Sequence, residues 1–412
     1  MDTQTNATSA ADGEPSPTWT ERGTRIYRRT SVALFLAGFV TFSAVYAVQP
    51  LLPELASDFG VSAAQSSLAL SLTTALLAAA ILCAGAGSEM FGRRGLMFTS
   101  MCCAALLNIA LAFVSNWHGL LALRALEGFV LGGVPAVAMA YLAEEIHPKG
   151  LGLTMGLYVG GTAFGGMAGR FFTGVIAELA SWRTALGVLG LLDLILAVIF
   201  ILLLPPSRNF ERQLKFDASY HLRAWADHLR DRNLLSLFVI GGLVMGAFVT
   251  IYNYVTFRLV APPYELSQTQ IGSIFTVYLF GTLASWLAGA LSDRLGRAPV
   301  LIAGTLIFAA GIAITLLPSL AAIITGIALL TSGFFVTHTV ASGWVGRLAT
   351  NAKGHAASLY LLVYYTGSSI MGSLGGWFWA ADGWPAVAGF AGVLIFLAFV
   401  AAVGLSRSAP AE

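Results

Sequence analysis

Gly289-Ala290-Leu291-Ser292-Asp293-Arg294-Leu295-Gly296-Arg297 sits between two long apolar runs, and a worn copy of it begins at Gly85. In that copy Glu89, Gly92 and Arg93 follow Gly85 at the spacing with which Asp293, Gly296 and Arg297 follow Gly289. Glycine, carboxylate, glycine and arginine therefore recur once in each half of the chain. Other anchors repeat at nearly the same interval. Ser62 and Gln65 are mirrored by Ser267 and Gln270, and Trp182 by Trp384. Tyr158, Gly161, Gly166 and Gly169 are mirrored by Tyr364, Gly367, Gly372 and Gly375. Agreement at this many anchors reads as a duplicated unit.

Composition says where such a unit resides. Of 412 residues, 57% are hydrophobic and 10% charged, against about 25% charged in an ordinary soluble domain. Most of the surface must then face lipid. Twelve apolar runs are long enough to cross a hydrocarbon core of ~30 Å as helices: 31–53, 64–87, 95–115, 119–142, 151–176, 183–204, 233–259, 270–291, 298–317, 320–345, 355–379 and 385–405. Lipid offers no partner to backbone groups, so these spans are expected to be helical. Residues 1–30 and 406–412 read as cytoplasmic tails, 31–204 and 233–405 as two six-span units, and 205–232 as the cytoplasmic link between them. The first tail is polar and too poor in apolar residues to fold alone. The first apolar run is too long for a secretory signal and lacks a small-residue cleavage pattern. In the link, Leu214, Ala218, Leu222, Trp225 and Leu229 recur at helical steps among charged residues, which fits an amphipathic helix on the inner membrane face or a solvated linker.

Basic residues set the orientation. Of the 22 Lys and Arg, all but Arg124, Arg170, Arg183 and Arg258 fall on segments that are internal when the N-terminus is inside. Both termini are therefore expected in the cytoplasm. The net charge of +2 carries no basic patch that would call for nucleic acid. Cys83, Cys102 and Cys103 lie in spans and read as small packing residues, and the six histidines lack metal-ligand spacing. The chain has no phosphate loop and no dinucleotide fingerprint, so no cofactor is expected, and neither an ATP-driven pump nor a nicotinamide enzyme fits.

The duplicated loop resembles the cytoplasmic signature of the major facilitator superfamily, and the likeness covers nearly the whole chain. It implies an all-α membrane protein of twelve helices in two pseudo-symmetric six-helix bundles, with a substrate site between them at mid-membrane. In that family the loop stabilises the outward-facing state. The resemblance thus assigns a gating role to Gly85, Glu89, Gly92, Arg93 and Arg94, and to Gly289, Asp293, Arg294, Gly296 and Arg297. The first copy departs from the pattern at Gly87, Glu89 and Met90, which points to a weaker interlock or one carried by Arg93. Leu120, Arg124, Glu127, Gly128 and Gly132 resemble the fourth-helix signature with which proton-coupled members transfer protons. Among branches, the chain looks most like bacterial acriflavine-sensitivity permeases, which are inner-membrane carriers regarded as exporters. The fifth span has Gly161 followed by Thr162 where drug antiporters usually carry glycine and proline.

Arg124 sits inside the fourth span, where a charge costs a few kcal/mol unless paired or wetted. Glu127, three residues on, shares its helical face. Desolvation and the arginine pull the acid's proton affinity in opposite directions, so the two form either a proton-coupling pair or a permanent ion pair gluing helices. Asp193, deep in the sixth span, is the other candidate acid. One charge moved through ~150 mV releases about 3.5 kcal/mol, enough for roughly a 300-fold gradient, so one coupling acid suffices. Tyr46 and Gln49 in the first span and Tyr252, Asn253, Tyr254 and Arg258 in the seventh, with His338 in the tenth, are the expected cavity residues. The resemblance places the first and seventh helices on that cavity, whose aromatic wall suits planar or lipophilic solutes, cations included. Arg258 is expected to attract an anion or to pair with Glu265. The expectation is a monomeric, multi-pass transporter of the bacterial inner membrane. It exports a small organic solute in exchange for protons, or imports an organic anion with them, or, remotely, senses solute without moving it.

Overall fold

Apolar runs in lipid can close their backbone hydrogen bonds only along the chain, and the structure is helical almost throughout. The computed structural model describes residues 19–210 and 218–408, the side chains of 84–91 and of Ala218 excepted. Most of the first tail and Leu214 of the link lie outside the described residues, as do the side chains of Gly85 and Glu89.

The first unit comprises α1 (Arg25–Tyr46), α2 (Leu52–Phe59), α3 (Ala63–Ser66), α4 (Leu68–Phe91), α5 (Arg93–Leu111), α6 (Trp117–Leu131), α7 (Pro135–Glu145), α8 (Pro148–Leu179) and α9 (Trp182–Leu203). The linker helix α10 (Ala218–Arg230) leads to α11 (Arg232–Val260), α12 (Gln268–Ile274), α13 (Tyr278–Leu295), α14 (Arg297–Ile314), α15 (Leu320–Leu348) and α16 (Lys353–Ser408). Ten stretches of the described chain are long and apolar enough to cross a membrane, when short breaks such as those between α3 and α4 and between α6 and α7 are bridged. The 32-residue α8 also has the length, though glycines dilute its hydropathy. The 56-residue α16 breaks at Asp382 and Gly383, where Gly383 takes a φ of +58°, so it makes two crossings. Twelve crossings result. Lipid explains their outer faces: α9, with a mean hydropathy of 2.9, is only 33% buried by protein.

The repeated anchors have local causes. Ser62 and Ser267 each cap a helix start, accepting from the backbone of Gln65 and Gln270, whose side chains return the bond at 2.9 Å. These reciprocal caps satisfy donors that a helix start would otherwise leave open. Trp182 and Trp384 tie the heads of the sixth and twelfth crossings to Asp58 and to the Thr315 carbonyl, at 3.0 and 3.1 Å. The glycines of α8 let it lie on α1, where Gly169 faces the backbone of Ser43. Gly367 in α16 faces Gly242 of α11 in the same manner.

Among the described residues, the hydrogen bonds between the two bundles gather at one end. Side-chain bonds that cross between them include Gln49 to Asn253 at 2.7 Å, Thr74 to Ser369 at 2.7 Å, Ser373 to Ser71 at 2.8 Å, and the Thr269 N–H to Glu178 at 2.7 Å. All lie toward the end opposite the termini. There Gly174 of α8 packs on Gln268, whereas Gly152, Gly156 and Gly160, nearer the termini, have no neighbour within 4 Å of where a side chain would begin. The cleft between the bundles therefore opens toward the end that carries both termini.

Candidate functional site

Arg124 is fully buried and binds four groups at once. It donates to the carbonyls of Ala69 at 2.9 Å, Ala44 at 3.1 Å and Val45 at 2.7 Å, and forms an ion pair with Glu127. The approach of α6 that allows this needs Gly128, which rests on the Thr73 backbone of α4, while the Thr73 hydroxyl donates to the Arg124 carbonyl at 2.9 Å. One arginine thus joins α1, α4 and α6. Glu127 is equally buried, and its Oε1 has no hydrogen-bond partner among the described residues. Asp193 of α9 is fully buried and accepts from Ser43 at 3.0 Å. Ser43 immediately precedes the Ala44 and Val45 carbonyls that Arg124 binds, so Asp193 and the partner of Glu127 hold the same short stretch of α1.

A second buried arginine, Arg170 of α8, lies where the bundles meet. Its Nε donates to Gln49 Oε1 at 2.7 Å and an Nη to the Gly166 carbonyl at 2.7 Å. The guanidinium lies over the rings of Tyr46 at 4.1 Å, Tyr278 at 4.9 Å and Phe275 at 5.1 Å. Gln49 in turn donates to Asn253 Oδ1, so a polar chain runs from α8 past the end of α1 into α11. Sequence alone marks Arg170 only as one of the four basic residues off the internal segments. A signal was present: Arg170 follows the repeated Gly161, Gly166, Gly169 pattern, and its counterpart in the other half is Gly376. A charge standing where the repeat has glycine marks a broken symmetry.

Around this chain the second bundle supplies rings. Phe248 stacks on Phe334 at 3.8 Å, and Phe334 continues to His338 at 5.9 Å. His338 Nδ1 meets the Tyr360 hydroxyl at 2.9 Å, and Tyr252 meets Thr331 at 2.7 Å. The structure thus brings together Tyr46, Gln49, Tyr252, Asn253 and His338 of the expected cavity residues.

Two others lie elsewhere. Tyr254 donates to the Gly372 carbonyl at 3.0 Å and stacks toward Trp379, so it belongs to the seam between α11 and α16. Arg258 donates to the carbonyls of Thr315 and Leu317 and lies over Trp384 at 5.2 Å. Neither an anion nor Glu265 is needed to explain Arg258: carbonyls freed at the end of α14 and the turn beyond it take its donors.

The two signature loops differ. Gly92 and Gly296 both make the turn with φ of +86° and +83°, a region open to glycine. In the first loop Arg93 binds Glu144 at 2.6 Å and Arg94 donates to the Ile201 carbonyl at 2.6 Å. Glu144, at the end of α7, was not singled out from sequence because it belongs to no motif. In the second loop Asp293 and Arg294 are exposed and make no hydrogen bond or ion pair with described residues. Helix α10 turns His221, Trp225 and His228 to α16 and its neighbouring turn, through His355, Ser358 and the Ala352 carbonyl. Leu222 and Leu229 stay exposed.

The family model described as Major Facilitator Superfamily matches residues 34–262 and 243–412. The MFS-type transporter YybF of Bacillus subtilis is 43% identical over 95% of this chain and 96% of its own length. The inner membrane transport protein YnfM of Escherichia coli is 41% identical over 94% of this chain and 93% of its own. Among solved structures, a bacterial homolog of the human lysosomal transporter Spinster, inward-facing and occupied, aligns with a TM-score of 0.75 at 15% identity, covering 94% of this chain and 98% of that one.

Proposed function

The chain belongs to the Major Facilitator Superfamily and is a multi-pass membrane transporter, and from that premise we propose that it is a proton-coupled secondary carrier of a small organic solute. The observation that carries the coupling is the Arg124–Glu127 pair. Arg124 keeps three carbonyl acceptors if Glu127 takes a proton, so its guanidinium stays hydrogen-bonded when the acid is neutralised. Glu127 also has one oxygen without a partner, ready to bear that proton. Asp193 lies against the same segment of α1 and is the secondary proton site. The work done by one proton at ordinary membrane potentials is enough to drive solute uphill.

Basic residues cluster at the open end of the cleft, which assigns that end and both termini to the cytoplasm. The cavity then loads from the cytoplasm, the starting point for export by antiport. Exposure of Asp293 and Arg294 fits the same conformation, since the loop signature is assigned to holding the opposite, outward-facing state. A second reading, import of an organic anion together with a proton, is favoured by Arg170. Everted membrane vesicles with an acidified interior test the proposal. Added solute is expected to release protons by antiport in the wild type and not in Glu127→Gln, and the symport reading gives the opposite sign. Solute-driven proton movement that survives Glu127→Gln but fails in Asp193→Asn overturns the assignment of Glu127, and solute movement indifferent to both variants overturns the coupling.

A further inference from the structure

We infer that the floor of the cavity binds a small organic anion with a flat apolar body, its charge matched by Arg170. The inference rests on the reading that this cavity is the transport site, and it names the class of solute. Arg170 is 1% exposed, and no carboxylate of the described residues lies within ion-pair reach of it. Its neighbours are the Tyr46 ring and Gln49 beside α1, the Gly166 carbonyl of its own helix, the ring of Phe275 just before α13, and the ring and hydroxyl of Tyr278 at its head. Ring faces offset part of the cost of burying a cation, but they do not cancel a full charge.

The hydrogen-bond chain gives an independent reason. A guanidinium can only donate, so Gln49 must present its oxygen to Arg170. That leaves the Gln49 NH2 facing Asn253, which must present its own oxygen in return. The direction of the chain is fixed by its charged end, and the Asn253 NH2 is left over. It is buried and has no acceptor among the described residues. The Tyr46 hydroxyl, on the ring that Arg170 covers, makes no hydrogen bond to described residues, and elsewhere on α8 and α16 Tyr158 and Ser368 are buried without a partner among them. A cation and a surplus of donors, with no acidic side chain to absorb them, form the complement of an anion. The surrounding rings provide an apolar wall for a planar body. A cationic solute would meet Arg170 without any compensating carboxylate.

Binding to the purified full-length chain tests this without any proton gradient. Calorimetric titration with benzoate and 1-naphthoate is compared with their neutral amides and with benzylammonium. The carboxylates are expected to bind at least tenfold more tightly than the others. Arg170→Gln is expected to lose that preference. Asn253→Asp places a carboxylate in the chain beside Arg170 and is expected to remain folded, by thermal unfolding and elution volume, while losing carboxylate binding. Carboxylate binding that is retained in Asn253→Asp, or amides or benzylammonium that bind as well as the acids, overturns the inference. Binding is read here without proton movement, so failure of the coupling proposal in the vesicle assay and failure of this one are distinguished.

Discussion

Arg124 and Arg170 stand in the same bundle, both buried, yet they are solved differently. Arg124 has a carboxylate and three carbonyls, all from its own bundle. Arg170 has one carbonyl, one side-chain amide, the Tyr278 hydroxyl and ring faces, and its surroundings extend into the other bundle. The first arginine has its counter-charge within its own bundle, whereas the second has none among the described residues and sits at the joint. The difference separates a charge that holds helices together from one that awaits a counter-charge.

Arg124→Gln is the strongest way to break this contrast. It strands a buried Glu127 and leaves three carbonyls short of their donor, an expected loss of about 3–5 kcal/mol. The variant should give little monodisperse protein and a greatly lowered unfolding temperature. Arg170→Gln removes a cation that has no ionic partner, so its unfolding temperature should stay near that of the wild type. Equal destabilisation of the two variants would erase the distinction between them.

Close approach gives the next test. A side chain at Gly128 would collide with the Thr73 backbone, which cannot yield as a flexible side chain would. Gly128→Ala should cost about 1–3 kcal/mol and separate α6 from α4, loosening Arg124 as it does. Gly156 of α8, in contrast, has open space around it. Gly156→Trp should leave the stability of this conformation unchanged while blocking closure of the cleft. The readout is cysteine labelling near the open end, which should become independent of added solute.

How far the sequence reached is visible in the same residues. Span positions and the duplicated loop were legible because lipid imposes length and apolarity on every crossing, and because the turn needs glycine at positions 92 and 296. Arg124 was legible because a charge deep in an apolar run demands explanation and Glu127 lies three residues away. Arg170 was not, since its environment comes from α1, α11 and α13, far off in the chain. Arg258 misled for the opposite reason: its position in the seventh span pointed to the cavity, but the carbonyls that hold it come from the turn after α14. Glu144 was hidden because its partner, Arg93, is set by how α7 packs on α5. Sequence shows that a charge needs a partner, but the fold decides which one.

Ser43→Ala probes the stretch of α1 shared by the two acids. It removes the Ser43 donor to Asp193, worth about 1–3 kcal/mol for a hydrogen bond to a charged group and less for a neutral one. If Asp193 is the secondary proton site, the pH dependence of transport should shift while Glu127-dependent coupling persists. An unchanged pH profile would remove Asp193 from the proton path.

The smallest effect is expected where the bundles touch at the closed end. Glu178, at the end of α8, accepts from the Ser267 hydroxyl and from the Thr269 backbone at the start of α12. These bonds favour the charged carboxylate and hold its pKa below the ordinary glutamate value of 4.5, with the Ser267 bond as the larger cause. Because the folded-state value is lowered, this latch is fully present above 4.5 and is lost only as pH falls through the lower folded value. At neutral pH it is therefore constant, and an exposed bond of this kind contributes little. Glu178→Gln should widen the closed end slightly, read as a small shift in the distance between labels on α8 and α12. Acidifying the wild type below the lowered value should bring it to the distance of the variant, and the variant itself should not respond. A variant that still responds to acid would mean that another group holds the bundles shut, and the contrast between a closed joint and an incomplete site would then rest on Gln49 and Asn253 alone.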